Sequence, residues 1–120
     1  ARAQVERGRG SILFTGATAS TRGRAGFSAF SGAMHGKRSL AQSMAHELGP
    51  KGIHVAHVVI DGAIDTEWIR TNFAELAEKA AEVEGLLRPD DIAENYAHLH
   101  AQPRNAWTHE MDLRPYCEKY

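Results

Sequence analysis

Apolar positions change period several times along the chain, and each change marks an element. Ser11-Ile12-Leu13-Phe14-Thr15 is a short apolar run between glycines, the length and setting of a buried strand. Residues 1–7 before it read as the end of a helix, stopped by Gly8-Arg9-Gly10 because glycine tolerates a left-handed cap. Gly16 to Gly26, rich in Gly, Ser and Thr, reads as a loop. From Phe27 the period becomes helical: Phe27, Phe30, Met34, Ala41, Met44, Ala45 and Leu48 share a stripe, interrupted by Lys37 and Arg38. The stripe predicts core packing for Phe30 and Met34, and a helix stop with Gly49 as cap before Pro50.

Ile53 to Ile60 is rich in β-branched residues and reads as a central parallel strand, closed by Asp61-Gly62. Thr66 is placed to cap a helix whose apolar face is Trp68, Ile69, Phe73, Leu76, Ala77, Ala80 and Val83. Pro89-Asp90-Asp91 opens another helix, running to about Ala101, since proline suits the first turn and acids favour the positive end of the dipole. Trp107 to Leu113 is a candidate last strand, and 115–120 a tail. The order β-α-β-α-α-β predicts an α/β layer fold.

Composition narrows the function classes. The 120 residues, 42% hydrophobic and 24% charged, suit a soluble globular domain. Fourteen basic and 15 acidic residues leave a net charge of −1, so no electrostatic footprint for nucleic acid or an anionic membrane is expected. No apolar run approaches the roughly 20 residues that cross a bilayer, and Ala1-Arg2-Ala3-Gln4 has no signal-peptide core. Cys117 is the only cysteine, which points to a reducing, cytoplasmic setting.

Side-chain chemistry offers few constellations. Seven histidines raise the question of a metal, but His54 and His57 lie three apart on a strand and face opposite sides. His98 and His100 lie on different faces of a helix, so no metal is expected. Asp90, Asp91 and Glu94 are explained by the helix dipole, and Glu75 with Lys79 by a solvated face. Arg22 and Arg24 flank Gly23, an arrangement able to meet a phosphate but expected as a solvated loop. Trp107 is expected in the core or at an interface.

The stretch from Gly10 to Thr66 resembles the second half of the short-chain dehydrogenase/reductase family. Ser11-Ile12-Leu13-Phe14-Thr15-Gly16 is similar to the strand leading to that family's catalytic serine. Phe27 to Pro50, with Leu40-Ala41-Gln42-Ser43-Met44-Ala45-His46-Glu47-Leu48, resembles the helix that carries its Tyr-x-x-x-Lys. Gly52-Ile53-His54-Val55 through Asp61-Gly62-Ala63-Ile64-Asp65-Thr66 resembles the next strand and the Pro-Gly-x-x-x-Thr loop. Weaker similarity continues through Pro89-Asp90-Asp91-Ile92-Ala93.

The resemblance implies a three-layer Rossmann-like α/β fold: the C-terminal half of a doubly wound parallel sheet, about three strands with flanking helices. Residues 1–120 are then one partial domain, a fragment or truncated form. It implies hydride transfer with NAD or NADP as the family reaction, with tyrosine as acid/base, serine orienting the substrate oxygen and lysine lowering the tyrosine pKa. The serine, tyrosine and lysine positions are Ala17, Phe30 and Met34 here. None has a titratable proton, a charge or a hydroxyl, so no catalytic residue is assigned. Lys37, one turn beyond Met34, is a candidate to reach part of the missing position.

Gly62, Ile64 and Thr66 match the loop that meets the nicotinamide end, and are the candidate cofactor-binding residues. Asp61 replaces that loop's proline. The Gly-rich turn that holds a pyrophosphate is not found: Thr15-Gly16 begins one, but Ser20 and Arg22 fall where glycines belong. Three functions follow: an oxidoreductase-family chain inactive by itself, a structural protein forming a homo-oligomer through the helix Phe27 to Leu48, or a small-ligand module using the Gly16–Gly26 and Gly62–Thr66 loops.

Overall fold

A computed structural model describes residues 1–119. Eight elements carry the fold: α1 (Arg2–Arg7), β1 (Gly10–Ala17), α2 (Ser28–Leu48), β2 (Ile53–Ile60), α3 (Glu67–Asn72), α4 (Ala74–Ala81), α5 (Pro89–Ala101) and β3 (Glu110–Leu113). The strands form one parallel sheet in the order β1-β2-β3. All eight residues of β2 are buried, as a β-branched central strand requires.

The period of two sorts the strand side chains onto two faces. Ile53 and Val55, with Ile12 and Phe14, pack against Met44, Ala45 and Leu48 of α2. Ala56, Val58 and Ile60, with Leu13, Met111 and Leu113, pack against Ile92, Tyr96 and Leu99 of α5. Leu99 is fully buried, and burying one such side chain stabilises by about 1.5–3 kcal/mol. Helices on both faces of a parallel sheet make the expected three-layer α/β arrangement.

Helix ends follow local chemistry. Gly8, at φ 68°, caps α1 in the left-handed conformation. Pro89 opens α5 with Asp90 and Asp91 in its first turn. Gly49, expected as the cap of α2, stays right-handed at φ −54°. The chain passes instead through a 3-10 turn over Gly49–Lys51, and Gly52, at φ 83°, makes the reversal into β2.

Other expectations are corrected. β1 extends through Gly16 and Ala17, and Thr18–Ser20 forms a 3-10 turn, so the loop is shorter than read. The last strand spans only Glu110–Leu113. The helix expected from Trp68 to Val83 is two, broken at Phe73, whose φ −134° and ψ 48° leave the helical region. Its apolar stripe is not core: Trp68, Phe73, Leu76 and Val83 are exposed, and only Ala77 is buried. In the tail, Pro115 is buried and Tyr116 exposed, while Tyr120 lies outside the described residues. No described helix is long and apolar enough to cross a membrane.

Candidate functional site

The C-terminal ends of β1 and β2 open onto a cleft of about 250 Å³. Its apolar wall is Ala17, Ala19, Phe27, Phe30, Ile60 and Gly62; Thr18, Arg22, Arg24 and Glu118 supply the polar rim. Ala17 ends β1, Gly62 follows β2, and Phe30 comes from the first turn of α2. Ser31 fixes that turn by donating its hydroxyl to the Ala19 carbonyl at 3.1 Å. The structure therefore brings together Ala17, Phe30 and Gly62, far apart in sequence. Met34 is not part of the lining.

Phe30 was expected in the core and is half exposed, 50% by area, because the packed side chains of α2 belong to its C-terminal half. Neighbouring hydroxyls do not replace the missing groups. Thr15 bonds the Tyr96 hydroxyl at 2.6 Å on the α5 side of the sheet. Thr18 donates to Asp61, and Ser20 accepts from the Ala17 amide at 3.0 Å. Lys37 donates to the Thr15 carbonyl at 3.2 Å, so its ammonium is held along β1 and not in the cleft.

Gly62, Ile64 and Thr66 share the turn after β2. A side chain on Gly62 would place Cβ 2.9 Å from both Leu87 and Pro115, at φ 154°. Ile64 bridges Leu87, and Thr66 accepts from the Ile69 amide at 3.3 Å as the cap of α3. Only Gly62 of the three lines the cleft.

Two charge networks, one buried and one partly exposed, have no signal in the local sequence. Asp61, fully buried at the end of β2, accepts from Thr18 at 2.7 Å and from the Arg22 guanidinium at 2.8 and 3.1 Å; Arg114 lies 3.6 Å away. Burial alone would push its pKa up. The bonds from Thr18 and Arg22, with the charges of Arg22 and Arg114, outweigh burial and hold it below the ordinary carboxylate value. Arg22 is thus part of an ion pair, not a solvated loop residue. Local spacing carries no signal for this pair, which spans 39 residues of sequence.

On the α2 side, Glu110 accepts from Arg38 at 2.7 and 2.8 Å and contacts His57 Nδ1 at 3.0 Å. The Arg38 bond chiefly lowers the Glu110 pKa, burial opposes it, and His57 adds to the lowering. Gly16 is required here, since a Cβ would lie 2.2 Å from His57 Nε2. His54, on the other face, stacks on Trp107 with ring centroids 4.9 Å apart and bonds the Thr108 carbonyl at 2.7 Å. Both histidines are buried, and the described residues hold no cluster of three or more metal-binding side chains.

Comparison with known proteins places this arrangement. The profile of the family described as Enoyl-(Acyl carrier protein) reductase matches residues 1–109. A short-chain dehydrogenase from Rhodopseudomonas palustris is 43% identical with a TM-score of 0.71, covering 96% of this chain and 42% of its own. The closed form of a serine dehydrogenase complexed with NADP+ is 21% identical with a TM-score of 0.84, covering 99% of this chain and 49% of its own. An actinorhodin polyketide ketoreductase variant with NADPH is 22% identical with a TM-score of 0.77, covering 98% and 51%. The last two show a shared fold. The chain spans about half the length of the structures it matches. No curated protein matches it.

Proposed function

The chain belongs to the short-chain dehydrogenase/reductase family, and from that premise we propose that it keeps the family's substrate-facing scaffold without carrying out hydride transfer by itself. One observation carries the reading: Phe30 stands on the cleft where the resemblance puts the acid/base tyrosine. A phenyl ring has no proton to exchange, Ala17 has no hydroxyl, and Met34 no charge to favour a phenolate. Oxidoreductase chemistry is the family's, and this chain's share in it is structural.

NADP+ and NADPH stand in the descriptions of two structural relatives. A nicotinamide dinucleotide as a reacting group does not fit the residues present. The cleft, at about 250 Å³, is below the 300–1,000 Å³ typical of pockets that bury an organic ligand. No step is derived through the cofactor. Gly62, Ile64 and Thr66 would form one wall for the nicotinamide end if another polypeptide segment supplied the pyrophosphate turn. The single thiol, Cys117, favours a reducing, cytoplasmic setting.

A second reading, a small-ligand module, is favoured by one fact: the loop after β1 and the turn after β2 line the same cleft. Titration with NADH and NADPH, followed by ligand fluorescence, separates the two. The expected result is no saturable change up to about 1 mM, a Kd weaker than roughly −4 kcal/mol of binding. A saturable signal without turnover would favour the small-ligand reading, and oxidation of an alcohol with NADP+ would overturn the first.

A further inference from the structure

A second cleft lies at the opposite, N-terminal edge of the sheet, with a volume of about 530 Å³. Three segments each contribute an arginine to its lining: Arg7 from the end of α1, Arg9 from the turn before β1, and Arg104 from the loop after α5. His54 and His100 also line it, and none of its lining residues carries a carboxylate. Elsewhere this chain pairs its buried or half-buried arginines: Arg22 with Asp61, Arg38 with Glu110. Among the described residues, Arg7, Arg9 and Arg104 form no ion pair.

The floor is backbone. Gly52 sits at φ 83°, and a Cβ there would lie 2.3 Å from the Gly8 carbonyl oxygen and 2.9 Å from Arg104 Nη2. Arg104 spends one N–H on the Gly8 carbonyl, which leaves the rest of its fork of five donors unused. His54 is 3% exposed; its Nε2 bonds the Thr108 carbonyl, and its Nδ1 has no hydrogen-bond partner among the described residues.

We propose that this cleft binds a small molecule bearing two or more adjacent phosphates, held by Arg7, Arg9 and Arg104. Three forks on one carboxylate-free wall concentrate positive charge, and planar guanidinium matches phosphate oxygens bidentately. The volume lies within the range of ligand pockets and exceeds what a single phosphate fills. The site is at the other end of the strands from the cleft beside Phe30, and stands independently of the reading given for that cleft.

Inorganic pyrophosphate, titrated calorimetrically at low salt, is the probe. Saturable binding at least about tenfold tighter than orthophosphate is expected, weakening as salt rises. Arg7→Gln with Arg9→Gln should raise the Kd about tenfold or more. Neither side chain makes a hydrogen bond among the described residues, so an unchanged circular-dichroism melt is expected to show the fold intact. Arg24→Gln, at the opposite edge, should change nothing. No saturable binding by about 10 mM, equal binding in the double variant, or loss of binding in Arg24→Gln would each overturn the assignment.

Discussion

Asp61 shows how one side chain can reorganise its surroundings. A carboxylate buried at the end of β2 must be compensated, and Thr18, Arg22 and Arg114 do so. Removing the carboxylate takes away the buried anion that Arg22 and Thr18 bond. Breaking a buried pair costs about 3–5 kcal/mol, and the Arg22 side chain is 23% exposed, so Asp61→Ala should sit near about 3 kcal/mol in urea unfolding. The acid dependence has a definite sign. Its pKa in the folded chain is depressed despite burial, so this stabilisation is complete above the unfolded value of about 3.9. It is lost as pH falls through the depressed folded value. Asp61→Asn should flatten that part of the stability–pH curve, and an unflattened curve would assign the acid sensitivity to other carboxylates such as Glu110. Neither partner was legible locally: Asp61 read as a strand-ending turn residue and Arg22 as loop, because periodicity reports neighbours along the chain and not residues 39 apart.

At the scale of elements, legibility followed burial. β2 and α5 were readable to their ends, since one is buried along its whole length and the other opens on proline and two aspartates. The Phe27–Leu48 helix was readable as a helix, but its stripe did not say which half has a sheet beneath it; Phe30 therefore came out on a cleft instead of in the core. The break at Phe73 has no glycine or proline to announce it. α3, with only six residues, is too short to be stable alone and depends on its cap. Thr66→Ala removes the oxygen that accepts from the Ile69 amide, a loss of about 1 kcal/mol. Hydrogen exchange should report it as faster exchange at Ile69 and Arg70 with β2 unchanged. Equal protection of Ile69 in the variant would mean that packing, not the cap, holds this helix.

The whole molecule is more open than its length requires. Its radius of gyration is 16.1 Å, against about 13–14 Å for a compact domain of this length. Among the described residues β1 pairs only with β2 and lies at an edge of the sheet. Phe30 and Leu40 of α2, and Phe27 just before it, are each about half exposed, at 50%, 51% and 54%. An unpaired strand edge and apolar side chains facing water both favour association. A second copy meeting this one across α2 would cover Leu40, and a twofold axis there would place the same helix on both sides of the contact. Light scattering at micromolar concentration should then report at least twice the 13.2 kDa chain mass. Leu40 is the sharper probe, because it lines neither cleft and a half-exposed leucine contributes little to the fold of one chain. Leu40→Glu places a charge in the contact and should return the mass to that of a single chain with the melt of β2 preserved. A monomer in the parent protein would leave the exposed helix face without a role in assembly, and an undiminished oligomer in the variant would move the interface away from Leu40.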